Sequence, residues 1–192
     1  MIRLNEKDLN TVSNWDAQWK NIFEKRKGFH PGESEHRFNY FLSKIKDGDK
    51  VLDIACGLSD FLPICKKEKN IQATGLDYSD FAIRLSKEKY PDINWVTGNA
   101  LQTPFNDNTF DVVTAGELIE HIEKPELAIK EMARITKVGG NIVFSTPHIK
   151  GYEYHIWVFN EDDVRKLLEP YGEVEVKRVP THYIVASCEI EK

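Results

Sequence analysis

The run Lys50-Val51-Leu52-Asp53-Ile54-Ala55-Cys56-Gly57-Leu58-Ser59-Asp60-Phe61 constrains this chain more than any other. It opens as a short apolar strand. It then breaks into small residues at alternate positions, Ala55, Gly57 and Ser59, and continues into a helix-compatible run from Phe61 to Lys69. A strand that ends in small residues and opens into a helix brings backbone N–H groups close to a ligand. Asp53 stands at the end of that strand, the edge at which open α/β sheets bind their ligands.

The pattern that follows alternates strand and helix. Val51 to Ile54, Ile71 to Leu76, Ile93 to Thr97, Phe110 to Ala115 and Asn141 to Ser145 read as strands. Phe61 to Lys69 and Asp80 to Tyr90, the latter capped by Ser79, read as helices between them. A further helix opens at Pro125 and is expected to run to Gly139-Gly140. Such alternation implies a mostly parallel sheet with helices on both faces. The end of the chain differs. Asn160 caps a helix to about Leu168, and two strands, Val174 to Val179 and Thr181 to Ile190, are joined by a connection too short for anything but an antiparallel pair. Before Lys50 the spacing of Val12, Trp15, Trp19, Ile22 and Phe23 predicts a helix over 6–26, Gly28 to Gly32 a turn, and Phe38, Phe41, Leu42 and Ile45 a second helix over 34–45. Two tryptophans on one stripe fit either packing on the body or a lid that stacks over a ligand. The expected organisation is one domain over 1–192, with a helical lid over 1–34 and a core over 35–192.

Composition closes off several classes. A length of 192 residues supports one full core, and 41% hydrophobic with 30% charged residues is ordinary for a globular chain. The net charge of −5 argues against broad nucleic-acid binding. Three cysteines, with neither a Cys-x-x-Cys pair nor zinc spacing, point to a reducing, cytoplasmic setting. Cys56 reads as a space-filling residue of the loop. Met1 to Asn10 carries charges and no apolar run, unlike a signal peptide, and no stretch has the length of a membrane helix. No membrane partner is expected, and the sequence leaves the oligomeric state open.

Asp53, Asp77 and Asn99 each follow one of the first three core strands, so they face one crevice. Asp77 lies 20 residues beyond Gly57, where a carboxylate can accept both hydroxyls of a ribose. That geometry suits nicotinamide dinucleotides and S-adenosylmethionine alike, and the loop separates them. A pyrophosphate would be repelled by Asp53 and Asp60, and no arginine stands near the loop in sequence. The same carboxylates favour the amino group and sulfonium of S-adenosylmethionine.

Five segments in order then resemble class I S-adenosylmethionine-dependent methyltransferases. They are Val51 to Gly57, Gly75-Leu76-Asp77-Tyr78-Ser79, Gly98-Asn99-Ala100, Phe105 to Val113, and Val138-Gly139-Gly140 leading to Phe144-Ser145-Thr146-Pro147. The resemblance covers about 35–190. It implies a doubly wound, mostly parallel seven-stranded sheet, Rossmann-like, closed by a C-terminal antiparallel hairpin. It implies S-adenosyl-L-methionine as cofactor, held by Asp53, Ala55, Cys56, Gly57, Asp77, Tyr78, Asn99, Ala100, Leu101 and Glu117. Three positions depart from the family pattern. Ala55 and Ser59 replace glycines, and Ser59 is expected to have a backbone without positive φ. Asn99 replaces an aspartate, and its amide can accept from an adenine amino group and donate to a ring nitrogen.

The chemistry is expected after the fourth core strand, in Gly116-Glu117-Leu118-Ile119-Glu120-His121. If helical, 117, 120 and 121 share one face. His121 is then a candidate general base, with Glu117 helping to hold the cofactor. Alternatively Glu117, Glu120, His121 and a later histidine, His148 or His155, bind a divalent metal such as Mg or Mn. A third reading is purely structural. The Glu-x-x-Glu-His run resembles both ubiquinone-biosynthesis O-methyltransferases and the metal-dependent 2′-O-methyltransferases of small-RNA 3′ ends. The expected function is methyl transfer to an oxygen or nitrogen of a small molecule. The alternatives are a metal-dependent RNA methyltransferase-like enzyme and a non-catalytic partner subunit of the same fold. The aromatic segment from Ile149 to Phe159 is a candidate acceptor wall.

Overall fold

The structure is a computed structural model that describes residues 1–4, 11–25, 35–149, 154–180 and 182–191. In chain order these form β1 (Ile2–Arg3), α1 (Val12–Lys25), α2 (Glu35–Ser43), β2 (Lys50–Ile54), α3 (Phe61–Glu68), β3 (Gln72–Asp77), α4 (Asp80–Lys89) and β4 (Asn94–Thr97). Next come β5 (Phe110–Gly116), a 3-10 turn (Ile119–His121), α5 (Pro125–Ile135), β6 (Thr136–Pro147), β7 (Trp157–Val158), α6 (Glu161–Leu168), β8 (Gly172–Val179) and β9 (Tyr183–Ile190). The turn expected over 28–32, and residues 6–10, 26 and 34 of the two expected helices, lie outside the described residues.

Among the described residues seven strands form one mixed sheet, in the order β4-β3-β2-β5-β6-β9-β8. The pairs from β4 to β6 are parallel, and β9 runs antiparallel to both β6 and β8. The order reverses between β2 and β5, so a crevice opens beyond their carboxyl ends. Alternation along each strand fills both faces. In β2, Val51 packs with Phe38, Phe41, Phe61 and Leu62 of α2 and α3, while Leu52 and Ile54 join the α5 and α6 side with Ile129, Met132, Val164 and Leu168. Each such Leu or Ile, fully buried, stabilises the fold by about 1.5–3 kcal/mol.

Local chemistry sets the helix starts. Ser79 Oγ accepts from Ala82 N at 3.1 Å and caps α4. Asn160 and Asp163 form a capping box on α6. One expectation is corrected. The Gly139-Gly140 pair does not end α5, which stops at Ile135. The chain enters β6 at Thr136 and the glycines lie within that strand. The register on β5 slips between Phe110 and Val112, and Gly139 takes φ +76° there. These glycines serve an irregular excursion within the strand, where β6 advances from Thr136 to Asn141 while β5 advances from Phe110 to Val112, and not a helix stop.

Candidate active site

The turn from β2 into α3 is built from left-handed residues at alternate positions: Ala55 at φ +57°, Gly57 at +54° and Ser59 at +55°. The expected absence of positive φ at Ser59 is therefore wrong. Non-glycine residues hold this conformation at a cost of about 1–2 kcal/mol each. It turns the Gly57 N–H onto Asp77 Oδ2 at 2.7 Å. Glycine is needed at 57 for a second reason: a Cβ there would lie 2.2 Å from the Trp19 ring of α1.

A cavity of about 670 Å³ opens at this edge. Asp53, Ala55, Cys56, Asp77, Tyr78, Asn99, Ala100, Leu101, Glu117 and His121 lie on its wall, and Gly57 backs it beneath Trp19. Asp53 accepts from Thr114 Oγ1 at 2.7 Å. Burial pushes its carboxyl up to about 7 against that bond and the nearby Arg37 charge. Asp77 takes N–H groups from Gly57 and Ser79, and burial holds it near 6. Asn99 Oδ1 accepts from Leu101 N at 2.8 Å, and the amide's NH2 is its donor group. Cys56 has a thiol pushed up by burial, as suits a filler.

The 117–121 run is not one helix. Glu117 sits at φ +60°, and only residues 119–121 make a 3-10 turn. The three residues expected on one face are thereby split. Glu117 turns to Arg37, which pairs with it, and accepts from Tyr183 Oη at 2.9 Å. Glu120 and His121 turn instead toward His155, and one ligand atom of each of these three lies within 4.8 Å of the others. Glu117 is not in that cluster, contrary to the expected metal set. His148 is also outside it. The backbone bond from Ile156 N to Glu120 O, 2.7 Å, delivers His155 to the turn.

His121 Nδ1 is 3.0 Å from the Tyr154 carbonyl. A carbonyl only accepts, so the neutral ring carries its proton on Nδ1 and a lone pair on Nε2. Burial pulls His121 down to about 4. Glu120 is fully buried; burial, then the Glu117 charge, push it up to about 8. Thr146 Oγ1 donates to its Oε2, while Oε1 has no hydrogen bond among the described residues.

Arg37 is a residue of the site that no motif in the sequence marks. It stands 16 positions before Asp53, on α2, and its guanidinium reaches the cavity wall over the Tyr183 ring at 4.7 Å. A basic residue on a buried helix face was the available signal. Most of the aromatic acceptor-wall segment turns elsewhere: Trp157 donates to Ile122 O and stacks beneath Arg3, and Phe159 is core. Ile149 and His155 do line the cavity, and 150–153 lie outside the described residues.

The raised carboxyls carry a pH signature. Asp53 and Glu120 bind protons in the folded chain at pH values where the unfolded chain, near 3.8 and 4.5, has lost them. Folding stability therefore falls as pH rises through their folded values. His121, lowered from 6.5, acts in the opposite sense only below that value. From pH 6.5 to 8.5 the ligand-free protein is expected to lose about 2–3 kcal/mol, a fall in melting temperature of roughly 5 °C. Calorimetric melts across that range check it. A flat profile, or an Asp53→Asn profile equal to wild type, contradicts the assignment of Asp53.

Residues 52–144 match a family described as a methyltransferase domain. The demethylmenaquinone methyltransferase of Staphylococcus haemolyticus is 38% identical over 104 residues, covering 52% of this chain and 44% of that protein. The Bacillus subtilis protein of the same name is 31% identical over 128 residues, covering 62% and 55%. The chain spans about half the length of the curated relatives it matches. An S-adenosylmethionine-dependent methyltransferase from Aquifex aeolicus superposes with a TM-score of 0.72 at 19% identity, covering 91% of this chain and 98% of that one. At that identity the likeness speaks for the fold. No helix among the described residues is long and apolar enough to cross a membrane. The loop and the strand-end aspartates fall within residues 52–144, the stretch that matches the methyltransferase-domain family, and the closing hairpin completes a fold like that of the Aquifex enzyme.

Proposed function

We propose that the chain transfers a methyl group from S-adenosylmethionine to an oxygen or nitrogen of a small-molecule acceptor. The supporting observation is the charge set on the cavity wall. Asp53, Asp60, Asp77 and Glu117 line it, and Arg37 is the one Arg or Lys among the described lining residues. That set disfavours a pyrophosphate and suits a nucleoside with a zwitterionic, sulfonium-bearing tail. The cavity volume is in the range of small-molecule sites. Asp53 and Glu117 would hold the ammonium group, Arg37 the carboxylate, Asp77 the ribose, and the Asn99–Leu101 segment the adenine. Bound S-adenosylmethionine supplies an electrophilic methyl group.

The chain's own work is orientation and proton handling. Trp15 meets His121 edge-on at 4.9 Å and Trp19 covers Gly57, so α1 roofs the cavity. Asp16 fastens α1 by accepting from Ser79 Oγ and Phe81 N. In this reading α1 is the lid, and the His121 Nε2 lone pair takes the acceptor's proton. The name of the relatives favours a planar, quinone-like acceptor. The three free thiols fit a reducing, cytoplasmic setting.

A second reading is favoured by the Glu120, His121 and His155 cluster, in which Glu120 Oε1 has no hydrogen bond among the described residues and lies 3.9 Å from His121 Nε2. These donors fit a divalent ion such as Mn, which would orient an acceptor hydroxyl.

Calorimetric titration with S-adenosylhomocysteine tests the main proposal. Micromolar binding is the expected result. No heat at millimolar ligand overturns it.

A further inference from the structure

Glu131 is a nearly buried charge on α5, outside the cavity. Its Oε1 accepts from Thr103 N and from Thr103 Oγ1, both at 2.7 Å. Arg134 fixes it from one turn further along, with Nε on Oε2 at 2.8 Å and a terminal nitrogen on Oε1 at 2.7 Å. The same guanidinium reaches Phe105 O at 2.9 Å and Asp107 Oδ1 at 2.6 Å. Burial alone would raise the Glu131 carboxyl, but the bonds from Arg134 and Thr103 outweigh it and hold it low. The pair is therefore a charged clamp on residues 103–107.

What the clamp grips is the far end of the cavity wall. The segment from Gly98 to Thr103 leaves β4 and turns back on itself through an Asn99–Gln102 bridge. Its near end is tied by Gly98 N to Asp77 O at 2.9 Å. Its far end is tied by Thr103 to Glu131. Between the two ties stand Asn99, Ala100 and Leu101, which line the cavity. The first tie sets the wall against the Asp77 strand end, and the second sets its tilt.

We infer that Glu131, held by Arg134, is a positioning residue for base recognition: it fixes the Asn99–Leu101 wall at the height where a bound nucleoside presents its base. This rests on the S-adenosylmethionine reading of the cavity. Glutamine at 131 keeps the shape, loses the charge that strengthens both Thr103 bonds, and turns an N–H2 toward groups that themselves donate. The wall then loosens while Asp53, Asp77, Arg37 and Glu117 keep their places.

The test compares two ligands by calorimetry, S-adenosylhomocysteine and its inosine counterpart, which differ only at the base. In Glu131→Gln, S-adenosylhomocysteine is expected to bind roughly tenfold more weakly, about one charge-assisted hydrogen bond's worth. The inosine ligand should lose much less, so the preference for adenine shrinks. General loosening of the fold would weaken both ligands together and leave the ratio alone. Thr103→Val should move the ratio in the same direction by less, and Thr103→Ser should restore it. These two decide the matter if Glu131→Gln does not fold. An unchanged ratio in folded Glu131→Gln or Thr103→Val overturns the inference. A wild type that binds neither ligand overturns the cofactor reading, and this inference with it.

Discussion

Replacing Asp77 with alanine is expected to weaken S-adenosylhomocysteine binding by about 100-fold, some 2.7 kcal/mol. The carboxylate has roughly four lone-pair sites. Gly57 N at 2.7 Å, Ser79 N at 2.8 Å and the Tyr78 N–H draw on them. What remains faces the cavity and can accept from a ribose diol, and few neutral residues could do both jobs. Alanine removes the diol's acceptors and also frees the Gly57 and Ser79 N–H groups, each costing about 1–3 kcal/mol if left unpaired. The melting temperature should fall as well, so affinity alone would not prove ribose contact. A ligand-side control separates the two effects. Wild type should bind S-adenosylhomocysteine far better than its 2′,3′-dideoxy analogue, and Asp77→Ala should bind the two alike. If the variant still prefers the diol, Asp77 holds the loop and something else holds the ribose.

Asp77 also marks where the sequence was legible. Its place at the end of β3 follows from a short apolar run and a cap at Ser79, both local signals. The same holds for Asp53 and for the β8–β9 hairpin, whose short connection leaves no parallel alternative. What the sequence concealed was conformation forced by tertiary context. Ala55 and Ser59 have no intrinsic taste for the left-handed region, and they take it in a loop pinned by Cys56 N on Leu76 O, Gly57 N on Asp77 and Ser59 N on Cys56 O. Helical spacing alone would group Glu117 with Glu120 and His121. One left-handed residue at 117 sent its side chain to Arg37 and Tyr183 instead. Arg37 was invisible for a related reason. Glu117 and Tyr183, which it meets in the cavity wall, lie 80 and more positions away, just past β5 and on β9, and no periodicity reports such a pairing. The Gly139-Gly140 pair carries a true turn signal, but the turn lies in an irregular stretch within β6 and not at the end of α5.

His121→Ala is expected to lower methyl transfer by about 10²–10⁴-fold with S-adenosylhomocysteine affinity nearly unchanged. Turnover would be read as S-adenosylhomocysteine formed with the best acceptor from a panel of quinols, catechols and aryl amines. The ring lies at the cavity wall with Nδ1 anchored on Tyr154 O, so Nε2, 3.9 Å from Glu120 Oε1, is the nitrogen that the proposed reading gives to the acceptor's proton. Burial keeps the ring near 4 and therefore neutral. A general-base His121 thus predicts no falling limb in the rate between pH 6 and 8. Glu120 then separates the two readings of the site. Its carboxyl, raised to about 8, is already neutral at pH 7 in the metal-free chain. Glu120→Gln exchanges one neutral group for another of the same shape, so a metal-free enzyme should keep its turnover and ignore chelators. A divalent ion needs the carboxylate, so Glu120→Gln and chelation would both abolish turnover, and Mn would restore only the chelated wild type. If His121→Ala retains full turnover, neither reading stands, and the proton must leave by a route that does not cross the Glu120, His121 and His155 cluster.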